Sequence, residues 1–151
     1  MNTKVLFSSK KQDWETPKKL FNELNNEFNF DTDVCADKYN TKLDRYIGEE
    51  ENALEIEWKG LGTIFCNPPY ETSMQNKILK KAWEQHKKYG NTIVLLIPAR
   101  TDTSRWHDYI FGKAEVRFLR GRLKFEDKGK PNDNAAPFPS AIVIYRKENV
   151  K

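Results

Sequence analysis

Residues 92–97 read TIVLLI, an unbroken apolar run rich in β-branched and γ-branched side chains. A run of that length without polar alternation predicts a strand buried on both faces. Upstream, Leu20, Phe21, Leu24 and Phe28 fall at helical spacing, so residues 17–28 predict a helix. Thr16 is its expected N-cap and Pro17 its first helical position. A longer helix is predicted over 72–89, with Met74, Ile78, Leu79, Ala82 and Trp83 turned inward. The stretch NFDTDVCA (29–36) alternates and predicts a half-buried strand. Shorter strands are predicted over 43–47, 62–66, 115–119 and 141–145, and a short helix over 103–111. Residues 124–139, rich in Lys, Asp, Asn and Pro, predict a loop.

Strands alternating with helices specify an α/β sandwich with a mostly parallel sheet. Ligands in such sheets lie beyond the carboxyl ends of the strands. Three stretches fall there: 33–37, 67–70 and 98–103. At 151 residues, one domain is expected, long enough for a core of its own. Residues 1–13 read as a loose basic arm preceding it. No apolar run approaches the ~20 residues that span a bilayer, and no signal peptide is discernible. Cys35 and Cys66 sit in strand-like segments, and His86 and His107 lie far from both. Neither a disulfide framework nor a metal site is expected, and a reducing cytoplasm is. A net charge of +4 is compatible with a polyanionic partner.

The segment FCNPPY (65–70) carries the most specific chemistry. An exocyclic amine on an aromatic base is a weak nucleophile, because its lone pair is delocalised into the ring. Two fixed acceptors beside its hydrogens favour the tetrahedral, positively charged state needed for group transfer. Asn67 offers a side-chain oxygen and Pro68 a backbone carbonyl. Pro69 stiffens the step, since proline has a locked φ and restricts the residue before it. Tyr70 offers a stacking face, typically worth ~1–3 kcal/mol per base. The alternative is a strand-ending turn in which Tyr70 merely packs.

The chain resembles the phage-type DNA N6-adenine methyltransferases, class I enzymes that depend on S-adenosylmethionine. The resemblance runs through WETPKKLF (14–21), FDTDVCAD (30–37), CNPPY (66–70), LLIPARTDTSRWHDY (95–109), VRFLRGRLKF (116–125) and APFPSAIVIY (136–145). It implies a Rossmann-like class I sandwich with helices on both faces of the sheet. It also implies that Trp14, Thr16 and Pro17 line a cofactor cleft. Asp33, Cys35, Ala36 and Asp37 occupy the place of the glycine-rich cofactor loop, with Ala36 and Asp37 where small glycines are usual. Asp33 suits the ammonium of the methionine moiety, and Asn52 the adenine of the cofactor. Asn67, Pro68, Pro69 and Tyr70 take the catalytic positions.

Arg100, Arg105, Arg120, Arg122, Lys124, Lys128 and Lys130 follow strands or lie in the 124–139 loop, and form the expected phosphate-contacting rim. The length leaves no room for a separate recognition domain, so that loop and the N-terminal arm are its expected substitutes. The expected partner is DNA, with no membrane and no metal, and the expected state a monomer or weak homodimer. The Asn-Pro-Pro-Tyr segment alone does not separate adenine in DNA from cytosine or from a protein glutamine amide. A non-catalytic nucleic-acid-binding module on this fold is a further alternative, favoured by the altered glycine loop and opposed by the intact segment 67–70.

Overall fold

The computed structural model describes residues 14–48 and 51–147; the expected basic arm over 1–13 lies outside them. Six strands form one sheet: β1 (Thr32–Val34), β2 (Tyr46–Ile47), β3 (Ile64–Cys66), β4 (Ile93–Pro98), β5 (Glu115–Phe118) and β8 (Ser140–Tyr145). Their order is β2-β1-β3-β4-β8-β5. The first four pair in parallel, and β8 runs antiparallel to both of its neighbours. Among the described residues three helices, α1 (Lys18–Phe28), α2 (Thr72–Tyr89) and α3 (Ser104–Tyr109), complete the α/β frame. A two-stranded hairpin, β6 (Glu126–Asp127) and β7 (Lys130–Pro131), stands apart from the sheet.

The apolar run of β4 is buried along its full length, as its lack of alternation predicts. Its side chains divide between two cores. Ile93, Leu95 and Ile97 join Ile78, Leu79, Ala82 and Trp106, which α2 and α3 contribute on one face. Val94 and Leu96 join Phe65 and the Phe21 and Leu24 of α1 on the other. Helices therefore cover both faces. Truncating an aromatic side chain in such a core to alanine typically costs about 3–5 kcal/mol.

Several element boundaries depart from expectation. The N-cap of α1 is Pro17, and no side chain of its own segment caps the helix. The Lys18 amide is instead accepted by Glu126 Oε2 at 3.1 Å, from 108 residues away. Thr16 is thereby released from the capping role. The predicted strand 29–36 contracts to three residues, all buried rather than alternating, because β1 lies between two neighbours. The 43–47 strand contracts to two residues. In α2 the inward face includes Gln75, Gln85 and His86 beside the apolar positions.

Glu27 at the end of α1 receives both terminal nitrogens of Arg117 at 2.7 Å each, with Arg146 close by. The Arg117 hydrogen bonds hold its carboxyl at about 2, against an ordinary 4.5. A depressed folded-state pKa contributes stability that is present above the unfolded value and lost as pH falls through the folded one. Glu27→Gln is therefore expected to flatten the acid limb of stability between about pH 4.5 and 2. The contribution is fully present near neutrality, but because the pair is solvent-accessible its total size is small. Thermal melts of both proteins across that range test this, and parallel acid limbs would contradict it.

Candidate active site

Strand β1 connects to β2 on one side and the chain then returns to place β3 on the other, so the strand order reverses between β1 and β3. Beyond the carboxyl ends of a sheet, such a reversal opens a crevice. A cleft lies there, lined by three groups of residues. Trp14, Glu15 and Thr16 come from the strap before α1. Asp33, Cys35, Ala36, Asn40 and Lys42 follow β1. Asn67, Pro68, Pro69 and Tyr70 follow β3.

Asn67 is held on three sides. Its amide nitrogen donates to the Trp14 carbonyl at 2.8 Å and to Thr16 Oγ1 at 3.0 Å. Its Oδ1 accepts from the Tyr70 hydroxyl at 2.5 Å. Two acceptors on one end of the amide and a donor on the other fix which end is oxygen. A carbonyl oxygen has two lone pairs, so Oδ1 keeps one for a further donor. The Pro68 carbonyl accepts no hydrogen bond among the described residues. Two adjacent acceptors thus remain available at the cleft.

Tyr70 is half-buried in a box of aromatic rings. Trp14 and Phe125 meet it edge-on at 5.7 Å each, and Phe138 lies tilted at 5.4 Å. Burial pushes its hydroxyl well above the ordinary phenol range, with the neighbouring Cys66 adding to the effect. The hydroxyl therefore keeps its proton at neutral pH and acts as a donor to Asn67. The Arg100 guanidinium lies 5.7 Å from the Phe138 ring, over the box.

The sequence matches the family described as DNA N-6-adenine-methyltransferase (Dam) over residues 3–150. It is also 34% identical, over 150 residues, to the DNA N-6-adenine-methyltransferase of Haemophilus phage HP1 (strain HP1c1). That alignment covers 95% of this chain and 82% of the relative. The chain belongs to the DNA N-6-adenine-methyltransferase family.

The residues expected to serve a DNA N-6-adenine-methyltransferase are brought together unequally. Trp14, Thr16, Asp33, Cys35, Ala36 and Asn67 through Tyr70 line one cleft. Pro17, Asp37 and Asn52 do not. Asp37 Oδ1 accepts the amides of Tyr39 and Asn40, which closes a turn. Asn52 adopts a left-handed conformation and accepts the Leu54 amide. Cys35 takes φ +67, a left-handed turn usually left to glycine. Ala36 and Asp37, where the usual glycines were expected, have no positive φ, and the Cys35 and Ala36 amides both reach the Ile47 carbonyl. Asn40 and Lys42 also line the cleft. Sequence reasoning missed them because the turn that folds them back is closed by Asp33, whose Oδ2 accepts the Lys42 amide at 2.9 Å.

Of the seven cations expected on the rim, Arg100, Arg120, Arg122, Lys124, Lys128 and Lys130 are exposed. Arg105 is not: it is 4% exposed and donates to Asn76 Oδ1 between α3 and α2. Burial lowers its pKa, with Arg100 nearby adding to the effect. It is a packed interior cation rather than part of a surface footprint.

The 124–139 stretch is more than a loop. Phe125, Ala136 and Phe138 are buried in the α1-side core, and β6 and β7 form a hairpin. Its two turn residues, Lys128 and Gly129, are both left-handed, at φ +54 and +82. That pair is the signature of a type I′ hairpin turn. The Glu15 carboxylate accepts both turn amides, at 3.2 and 3.4 Å. The cleft strap and the hairpin are therefore tied through one residue. Glu15→Ala is expected to lose about 1.5 kcal/mol, at the low end for bonds to a charged acceptor because both contacts are long. Amide exchange at Lys128 and Gly129 should accelerate at the same time. Unaltered protection at those amides would show that the hairpin holds itself.

Proposed function

We propose that this chain transfers a methyl group from S-adenosylmethionine to the N6 amine of adenine in DNA. The observation that carries the proposal is the pair of adjacent acceptors at one cleft, Asn67 Oδ1 with a spare lone pair and the unbonded Pro68 carbonyl. Family membership supports the same reading, and the strand order with its single antiparallel strand fits a Rossmann-like class I methyltransferase.

The cleft residues suit the donor. Asp33 is a carboxylate only 4% exposed, placed to meet an ammonium, and Thr16, Asn40 and Lys42 offer polar contacts beside the Trp14 ring. When bound, S-adenosylmethionine supplies an electrophilic methyl group. The protein's part is to present the amine. Asn67 Oδ1 and the Pro68 carbonyl accept its two hydrogens and favour the tetrahedral nitrogen on which positive charge develops. The aromatic box around Tyr70 holds the base plane. A base stacked within a duplex is out of reach, so the adenine enters flipped from its strand. The methylated amine then loses its extra proton to water, and no metal or side-chain base is required. Arg100 and the exposed cations of 120–130 meet phosphates, which gives affinity that falls with salt. The hairpin, anchored by Glu15, is the candidate for reading sequence.

Incubating the chain with isotopically labelled S-adenosylmethionine and unmethylated DNA tests the reading. Digestion should release label as N6-methyladenine. Label on cytosine or on a protein glutamine, or none at all, would overturn it.

A further inference from the structure

We infer that Gln75 is a positioning residue for methyl transfer, fixing the Asn-Pro-Pro-Tyr segment from inside the protein; the inference rests on the function proposed above. Gln75 lies in the first turn of α2 and is 1% exposed. Its Nε2 donates to the Pro69 carbonyl at 2.9 Å. Its backbone amide meets the Glu71 carbonyl at 3.0 Å, which locks the residue to the start of the helix.

The dihedral angles of the Pro68–Pro69 step explain the effect. The pyrrolidine rings lock φ of both prolines. The ψ of Pro68 is restricted because a proline follows it. The ψ of Pro69 is the one soft angle left, and it sets where the Pro69 carbonyl points and where Tyr70 begins. Gln75 fixes it by holding that carbonyl. The same bond gives the Pro69 carbonyl a donor inside the protein, whereas the Pro68 carbonyl accepts none among the described residues.

A second observation separates this role from simple packing. The Gln75 Oε1 is buried with no hydrogen-bond partner among the described residues. A buried amide satisfied at one end only is a poor choice for stability, and an apolar side chain of the same length would pack there without the orphaned oxygen. Placing glutamine at this point serves the Pro69 carbonyl rather than the core. The helix thereby transmits its rigidity to a segment that has no regular hydrogen bonding of its own.

The test compares Gln75→Met with the parent protein. Methionine matches the length and shape but cannot donate to the carbonyl. The variant exchanges the orphaned Oε1 for a Pro69 carbonyl without its donor, so it should melt close to the parent temperature and bind S-adenosylmethionine with parent affinity. Its single-turnover methylation of DNA should fall by about 10- to 100-fold, the scale on which small misplacements of reacting groups act. A folded Gln75→Met that methylates at the parent rate overturns this inference and leaves the proposed function standing. A parent protein that transfers no methyl group to DNA overturns both. If the methionine variant does not fold, Gln75→Glu decides. A protonated carboxyl donates to Pro69 and a carboxylate is repelled by it, while burial raises the carboxyl's pKa toward the assay range. The rate per folded molecule, relative to the parent at each pH, should recover as pH falls. A ratio that stays flat with pH overturns the positioning role.

Discussion

Asn67→Ala is expected to slow single-turnover methyl transfer by about 10²–10³-fold, the usual result of removing one fixed group that stabilises transition-state charge. The geometry adds a second, smaller effect. Asn67 also donates to the Trp14 carbonyl and to Thr16, and both of those residues line the cleft. Alanine releases that strap, so affinity for S-adenosylmethionine should fall a few-fold as well. The two effects separate by size: the rate must fall far more than the affinity. Tyr70→Phe isolates the oxygen's orientation, since it removes the hydroxyl that aims Asn67 Oδ1 and keeps the ring in its box. It should lower the rate while leaving cofactor affinity alone. Rates measured at saturating cofactor on folded protein decide the matter. An Asn67→Ala protein that methylates adenine as fast as the parent would sink the two-acceptor mechanism.

What the sequence makes legible is whatever depends on short-range pattern. The apolar run of β4 and the helical spacing of α1 and α2 announce themselves within a dozen residues. The Asn-Pro-Pro-Tyr segment does so by composition, and its place after a buried strand puts it at a sheet end. What stays hidden is long-range partnership. Thr16 has the chemistry of a helix cap, yet Asn67 claims its hydroxyl and Glu126 supplies the cap from the far end of the chain. Arg105 carries the same charge as its exposed neighbours, and only the approach of α2 to α3 puts it inside. The 124–139 stretch reads as polar because its three buried apolar side chains are scattered among polar and charged ones. Its hairpin turn is hydrogen-bonded to Glu15, more than a hundred residues earlier. Gln75 looks like one polar residue among several in an amphipathic helix, and its role appears only once the Pro69 carbonyl is seen beside it.

Asp33→Asn should weaken binding of S-adenosylmethionine and of its demethylated product by about 10- to 150-fold, matching the ~1.5–3 kcal/mol of a hydrogen bond to a charged group. The asparagine substitution matters because Asp33 has two tasks. Its Oδ2 accepts the Lys42 amide at 2.9 Å and the Thr41 hydroxyl at 3.4 Å, and so folds residues 37–43 back toward the cleft. An asparagine oxygen can keep those bonds, while the negative charge and the second oxygen acceptor are lost. The melting temperature should therefore stay near the parent's, and DNA affinity without cofactor should not change. Asp33→Ala removes both functions, so it should lose stability and cofactor affinity together. Comparing the two variants by calorimetry separates charge from scaffold. If Asp33→Asn binds the cofactor as tightly as the parent, the carboxylate does not face the ammonium, and Asp33 is a turn-closing residue that merely borders the cleft.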